Sequence, residues 1–526
     1  MDTAGLRLKL AVRRQRLPSK RCHNQNPMQN GTLLAAVDLG SNSFRLEIGE
    51  LDHGQVHRTE YLKETVRQGN GLDADRNLTP DAMQRGWECL ARFGERLAGF
   101  RPGQVRAVAT QTLREARNRD EFLSRARKVL GFPIAGFPGR EEARLSSQGV
   151  ARMLPQSDER RLVIDIGGRS TELILGQAVE ARTTESYRVG SVAWSRKYFP
   201  DGQLTREAFE TAGIAAKAVL DEATDAYARS QWDVAYGASG TIGAVADILA
   251  ASGFAAQLVT REGLDWLIDR MLRAQNTDRL RLDALKDDRR AVLGGGVSVL
   301  KALFDLLDSA EMQAAQGALR HGALYDLLDR EQEKSDVRSA TVERLAMRFE
   351  VDGAQARRID RVAGELFARL RAGASDLDAT EAARHQRELH WAARLHEIGT
   401  LISHSDAHKH GAYILDNADA PGFAVSELHQ LSLLVLGHRG KLRKLETDWH
   451  DEAFAHQLLA LRLAVLLCHA RRDPDLAGLS LVTERGGARL TLRAGWAARW
   501  PQSAWLLREE VAAWQKTPFA LRVDLG

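Results

Sequence analysis

The chain has 526 residues, 44% of them hydrophobic and 27% charged, the balance of an ordinary globular protein long enough for roughly 3–4 domains. Its three cysteines, Cys22, Cys89 and Cys468, are far apart and show no CxxC spacing, which excludes a disulfide framework and a structural zinc site and points to a reducing, cytoplasmic setting. The formal net charge of +4 is set near the start, where Arg7, Lys9, Arg13, Arg14, Arg16, Lys20 and Arg21 face Asp2 alone, so the remainder is slightly acidic.

Residues 1–32 lack the unbroken apolar stretch and small-residue cleavage site of a secretory signal. They are expected to form a basic, disordered tail, or an over-long start whose true beginning is Met28; an arm touching polyanions is the lesser reading. Residues 33–48 read as a β-hairpin, continued after a turn at Asp52–Gly54 by a strand at 55–62. The segment 79–99 opens with a Thr N-cap and a Pro at the first helical position, which predicts a helix. Strand, turn and helix follow at 105–116, then a short strand at 132–137 and a helix at 141–154.

The scheme repeats with a hairpin at 162–176, an extended stretch at 179–194 and a helix at 205–229. Strand, Gly/Ser/Thr turn and helix come at 234–250, and helical segments run on to about 329. Strands alternating with helices place this half in the α/β class. DREQEKSD (329–336) is the clearest linker. From 337 to about 470 the pattern is nearly all helical, with a His-dense patch from His385 to His438. No stretch reaches the ~18 uninterrupted apolar residues of a membrane span; the best, LLALRLAVLLC at 458–468, is broken by Arg462 and reads as a buried helix. A hairpin at 479–484 and 488–494, a helix at 502–515 and a strand at 518–524 follow.

The two hairpins are copies. Laying LAAVDLGSNSFRLEIG (34–49) on LVIDIGGRSTELILG (162–176) puts Asp38 on Asp165, Gly40 on Gly167, Ser43 on Ser170, Leu46 on Leu173 and Gly49 on Gly176 without a gap. Each turn exposes backbone N–H groups where glycine lets a phosphate come close, and each strand-end acid can hold a divalent cation. Facing each other, they would make a phosphate clamp with a metal between. Asp38, Asn42 and Ser43 would act from one side, and Asp165, Gly167, Gly168, Ser170 and Glu172 from the other. Arg114, in TQTLREAxN (110–118), has a guanidinium suited to fork onto phosphate oxygens. In GREEARL (139–145), Glu141 and Glu142 open a helix after a Pro-Gly turn; such acids either complement the helix dipole or polarise an attacking water.

VDLGSNSF, VATQTLREARN, GREEARL, VIDIGGRSTEL and GASGT, in that order and spacing, resemble the exopolyphosphatase/guanosine pentaphosphate phosphohydrolase family of the actin-like phosphotransferase superfamily. The resemblance continues through LRHGALYDLL (319–328), the HD-like stretch 391–423 and the C-terminal strands, nearest to the long bacterial exopolyphosphatases. It implies an α/β fold of two actin-like (ribonuclease H-like) lobes, 33–155 and 156–330, with the active site in the cleft between them. An all-α HD-like domain, 337–472, and a small α+β C-terminal domain, 476–526, are implied to follow.

The activity implied is that of a Mg²⁺-dependent exopolyphosphatase, releasing orthophosphate from the ends of inorganic polyphosphate. By position, Glu142 matches the family's catalytic base, and Asp165 and Glu172 its cleft carboxylates associated with the metal. Asn42, Arg114, Gly167, Gly168 and Ser170 match the groups holding the terminal phosphate; Asp38 joins the metal set and Gly240, in GASGT, the phosphate set. A homodimer is implied by the same analogy. The physics agrees: water needs a carboxylate to orient and deprotonate it, and the phosphoryl group in flight spreads charge that N–H groups, Arg and Mg²⁺ stabilise.

Two departures stand out. The family usually has GGG in the second loop, where this chain has Gly167–Gly168–Arg169; a positive φ there would strain Arg169, whose side chain is expected at the cleft mouth. In the helical domain the His-Asp pair of working HD phosphohydrolases reads His396–Glu397. His404, His408, His410 and His438 are left as ligands of a transition metal or as hydrogen-bonded structural groups. The resemblance implies that this domain helps hold the polymer and does not catalyse. HRGKLRK (438–444) packs Arg439, Lys441, Arg443 and Lys444 into seven positions, a polyanion-binding cluster or a solvated helix end.

Exopolyphosphatase is the leading expectation, and guanosine pentaphosphate 5′-phosphohydrolase the alternative, alone or as a dual activity, because both cut a terminal phosphoanhydride with the same groups. A non-catalytic polyphosphate- or nucleotide-binding regulator is disfavoured by Glu142, Asp165 and Glu172, and an actin-like kinase by the lack of an evident acceptor motif. No nucleic-acid partner is expected.

Overall fold

The computed structural model describes residues 28–154, 157–315, 317–330, 336–372, 379–442, 445, 447, 449 and 451–524; the expected tail up to residue 27, linker residues 331–335, and Arg443 and Lys444 lie outside the described residues. Strands β1 (Leu33–Leu39), β2 (Phe44–Asp52), β3 (Gln55–Glu64), β4 (Val105–Ala109) and β5 (Ile134–Gly136) form one sheet in the order β3-β2-β1-β4-β5. The first three pair antiparallel, and β4 and β5 run parallel to β1. A second sheet has the order β10-β11-β9-β6-β7-β8, from β6 (Arg160–Ile166), β7 (Thr171–Gln177), β8 (Glu180–Tyr187), β9 (Val234–Gly237), β10 (Leu258–Thr260) and β11 (Glu311–Ala314).

The duplicated frame is therefore a duplicated topology, down to its irregularities. The β2–β3 ladder shifts register between Ile48 and Gly49, and the β7–β8 ladder between Leu175 and Gly176. A Cβ at Gly49 would lie 2.4 Å from Val56 Cγ1 and one at Gly176 2.6 Å from the Glu180 carbonyl oxygen, so both bulges require glycine. Two expectations differ from what is observed. The stretch 179–194 does not stay extended: β8 ends at Tyr187 and the helix Ser191–Tyr198 follows. The run to 329 is not all helical but contains β10 and β11, which are too short to show alternation.

Each sheet has its own apolar core, built around Val37, Leu46, Phe93 and Phe122 in the first and Ile164, Leu173, Leu249 and Phe304 in the second. The helices Gly139–Met153 and Leu319–Arg330 run between them and cross backbone against backbone. A Cβ at Gly149 would lie 2.1 Å from the Ala318 carbonyl oxygen, and one at Gly322 1.8 Å from that of Leu145. This crossing fixes where the first turn of Gly139–Met153 points: toward the gap between the sheets.

From Val337 onward, the helices share one continuous core with a three-stranded sheet of β12 (Leu479–Glu484), β13 (Gly487–Leu492) and β14 (Ala520–Asp524), in which Leu366, Phe454 and Leu463 cluster with Leu490, Leu507 and Trp514. Arg462, the charge inside the apolar run, is buried in Glu452–Leu467 and paired with Glu510 (Nη2 to Oε2, 2.8 Å). Among the described residues no helix is long and apolar enough to cross a membrane.

Candidate active site

The β1–β2 and β6–β7 turns face each other across a cleft of about 280 Å³. The approach is close: a Cβ at Gly168 would lie 2.9 Å from Ser41 Cβ. Asp38, Asn42, Ser43, Glu142, Asp165, Gly167, Gly168, Ser170, Glu172 and Gly240 all line this one space. The first turn is braced from behind, with Thr112 Oγ1 donating to Ser41 Oγ (2.7 Å), the Gly69 N–H to the Ser41 carbonyl (2.7 Å) and the Arg67 N–H to that of Asn42 (2.8 Å). Thus held, it presents two buried polar atoms, Asn42 Nδ2 and Ser43 Oγ, that find no hydrogen-bond partner among the described residues. An unmet buried polar group costs about 1–3 kcal/mol, so a pair of them in a cleft wall is chemically suited to meet an oxygen from water or a ligand.

The second turn is braced by the start of Ser191–Tyr198: the Ser191 N–H donates to the Gly167 carbonyl (2.9 Å) and the Val192 N–H to that of Gly168 (2.8 Å). Gly240 opens the helix Gly240–Ala251, whose Ser239 cap accepts the N–H groups of Thr241 (3.2 Å) and Ile242 (3.1 Å). Any Cβ at Gly240 would collide with the Arg289 guanidinium, 2.1 Å from Nη2.

The acids gather opposite. Asp165 and Glu172 stand across from each other in the β6–β7 ladder. Asp165 Oδ2 accepts from Ser146 Oγ (2.9 Å) and Glu172 Oε1 from Ser186 Oγ (2.8 Å). Burial, reinforced by the Glu142 and Asp38 charges against the Ser146 hydrogen bond, pushes Asp165 up to about 7. Burial, then Glu142 and Asp165, holds Glu172 well above the usual carboxylate range. Burial also raises Glu142, against the opposing charge of Arg114.

Several of the named side chains make contacts that the sequence does not show. Arg114 is not among the residues that line the cleft. Its Nε and Nη2 donate to Gln111 Oε1 (2.9 and 2.5 Å), and its Nη1 to the Phe137 carbonyl (3.0 Å) and Glu142 Oε2 (2.5 Å), so it stands behind Glu142 and holds it. Arg169 has no positive φ, which removes the strain argument. Its guanidinium crosses to the other lobe, donating to Glu115 Oε2 (2.9 and 2.6 Å) and the Gly69 carbonyl (3.3 Å).

Among the described residues no three Asp, Glu, His or Cys side chains converge as a metal-ligating set. Asp38, expected with Asp165 and Glu172, is instead paired with Arg45 (3.0 Å) and approached by Arg320 (3.7 Å). The His396 and His438 rings lie 5.5 Å apart, each bonded through Nδ1 to a backbone carbonyl, Ala393 (2.8 Å) and Val435 (2.6 Å), as structural groups are. Arg439 and Lys441 are exposed in the third domain, outside the cleft.

Sequence reasoning missed the basic wall of Arg45, Lys63, Arg289 and Arg320 that lines the cleft. Arg320 lies inside a stretch that carries the resemblance and Arg45 directly after one, but neither strand nor helix position by itself says that the side chain faces the cleft.

Fold and site together define a two-lobed α/β protein in which paired hairpin turns and buried carboxylates line one cleft. The chain belongs to the Ppx/GppA phosphatase family: residues 48–331 match that family and residues 337–511 match Ppx/GppA phosphatase, domain III. It is 36% identical over 488 residues to the guanosine-5′-triphosphate,3′-diphosphate pyrophosphatase of Photobacterium profundum, covering 92% of this chain and 96% of that one. To the protein of the same name from Vibrio cholerae it is 37% identical over 472 residues, 89% of this chain and 93% of the other. An exopolyphosphatase structure from Cytophaga hutchinsonii shares the fold with a TM-score of 0.52 at 23% identity, over 57% of this chain and 98% of that one.

Proposed function

We propose that this protein hydrolyses the terminal phosphoanhydride bond of guanosine-5′-triphosphate,3′-diphosphate, with inorganic polyphosphate as a second substrate. The observation that carries the reading is a single cleft in which the unmet donors Asn42 Nδ2 and Ser43 Oγ share the space with the buried carboxylates Glu142, Asp165 and Glu172. The guanosine substrate comes first because the relatives similar to this chain along nearly its whole length carry that name. Polyphosphate remains because Arg45, Lys63, Arg289 and Arg320 attract phosphate by charge alone.

The turns and the Gly240 helix end seat the terminal phosphoryl group. Glu142, kept basic by burial and aimed by Arg114, takes the proton of the attacking water. The water oxygen bonds to phosphorus as the bridging P–O bond breaks, and the bridging oxygen leaves with the shortened chain, its charge met by the basic wall. Asp165 and Glu172, a buried acid pair that a cation would relieve, would hold Mg²⁺ together with substrate oxygens and water, and the ion would offset charge on the phosphoryl oxygens. Orthophosphate release from both substrates, with Mg²⁺ and with a chelator, tests the reading; a wild-type protein that releases none from either refutes it.

A further inference from the structure

Glu142 sits in the first turn of Gly139–Met153, and the far side of that turn is covered by the third domain. Glu141, 2% exposed, accepts the Gly422 N–H at Oε2 (2.9 Å), while Arg144 donates to both its oxygens (2.8 Å each). Arg140 ion-pairs with Asp419, in the same loop as Gly422, and with Glu185 of β8 (2.6 Å). The loop is itself anchored: Arg330 donates to the Gly422 carbonyl and to Glu427 Oε1 (2.8 Å), and Arg338 reaches the same Glu427 oxygen (3.1 Å).

Three consecutive side chains therefore face two ways, Arg140 and Glu141 into loop 419–422 and Glu142 into the cleft. They do not move independently, because the N–H groups of Glu141 and Glu142 both donate to the Pro138 carbonyl (3.1 Å each) in one helical turn. Arg114 grips this turn from within the lobe through Phe137 and Glu142, and the third domain grips it from without.

Taking Glu142 as the base proposed above, we infer that the Asp419–Gly422 loop of the third domain sets the position of the catalytic base, with Arg140 and Glu141 as positioning residues. Docking of the third domain and hydrolysis are then coupled. A base displaced by about an ångström loses much of its effect, whereas the phosphate-binding turns, braced by their own contacts, do not shift with it.

The test uses the full chain carrying Asp419→Arg, an exposed position that touches no cleft residue and that reverses the charge facing Arg140. The expected result is a roughly tenfold fall in kcat with KM within about twofold of wild type, and recovery in Asp419→Glu, which restores the charge. Hydrogen exchange should quicken at the amides of residues 139–145 and stay unchanged at the two hairpin turns. Wild-type kcat with unchanged exchange at 139–145 would overturn the inference, as would a parallel loss of kcat and KM performance with a lowered Tm, the mark of a merely structural contact. Exchange is read without turnover, so a wild-type protein inactive on both substrates would refute the proposed function while leaving the loop's hold on this turn decided by its own measurement.

Discussion

Arg45 and Glu172 occupy the same position in the two copies of the hairpin, each directly across its ladder from the strand-end aspartate, Arg45 from Asp38 and Glu172 from Asp165. In one copy the pair is opposite in charge and bonded at 3.0 Å; in the other it is two buried acids. Directly opposed residues share a face of the sheet, so a repeated backbone delivers unequal charge into one cleft. The compensated acid stands on the wall with Lys63 and Arg320, and the uncompensated pair stands on the other.

That asymmetry separates two variants. Glu172→Gln should raise the Mg²⁺ concentration for half-maximal activity by about tenfold or more, since it removes one of two carboxylates available to the ion. Arg45→Gln should leave the Mg²⁺ requirement alone and raise KM for both substrates. Titration of activity with Mg²⁺ at saturating substrate distinguishes them; an equal Mg²⁺ shift in the two variants would mean that the walls do not divide the work.

Glu142→Gln should lower kcat by about 10²–10⁴-fold, the usual worth of a positioned general base, with substrate binding largely kept. The sign of the pH effect follows from the direction of its shift. The base works only when deprotonated, and burial raises its pKa above the ordinary 4.5, so activity is lost on acidification at a higher pH than an exposed glutamate would give. A kcat/KM profile whose acid limb lies at or below 4.5 would contradict this assignment.

The turns and their acids are legible in the sequence because a local frame determines them: an acid at a strand end, glycine in the turn, a second strand returning. Glu142 is legible for the same reason, at the start of a helix after Pro138–Gly139. Arg45 stands inside the motif, yet its role depends on cross-strand register, which the residues on either side of it do not reveal. Arg289 and Arg320 reach the cleft from helical segments distant in sequence, where an arginine looks like any other. The pairing of Arg114 is hidden for a similar reason, since its partner Glu142 is 28 residues away and only the fold brings them together.

Arg169 is predicted to act as a latch between the lobes. Its pair with Glu115 is mostly shielded from solvent and joins the second turn to the first lobe. Arg169→Ala and Glu115→Ala should each reduce kcat/KM, and the double variant should lose little more, with a coupling of about 1 kcal/mol. Fully additive losses would show instead that Arg169 touches the substrate directly, and a wild-type Arg169→Ala would make the residue incidental.

The third domain should be acid-sensitive. Burial lowers His396, and burial together with the neighbouring His396 holds His438 well below the ordinary 6.5. Both imidazoles are therefore neutral when folded, each Nδ1–H donating to a carbonyl. The unfolded chain takes up these protons as pH falls past 6.5 while the folded chain refuses them, so stability is intact above 6.5 and declines below it until the folded-state values are passed. Each unit of separation corresponds to about 1.4 kcal/mol. His438→Gln should thus lose less Tm than wild type between about pH 7.5 and about pH 5.5, even though it costs stability at the higher pH; the raised cleft acids Asp165 and Glu172 act in the opposite sense but are common to both proteins. A His438→Gln slope as steep as wild type would remove this histidine as a cause of the acid sensitivity.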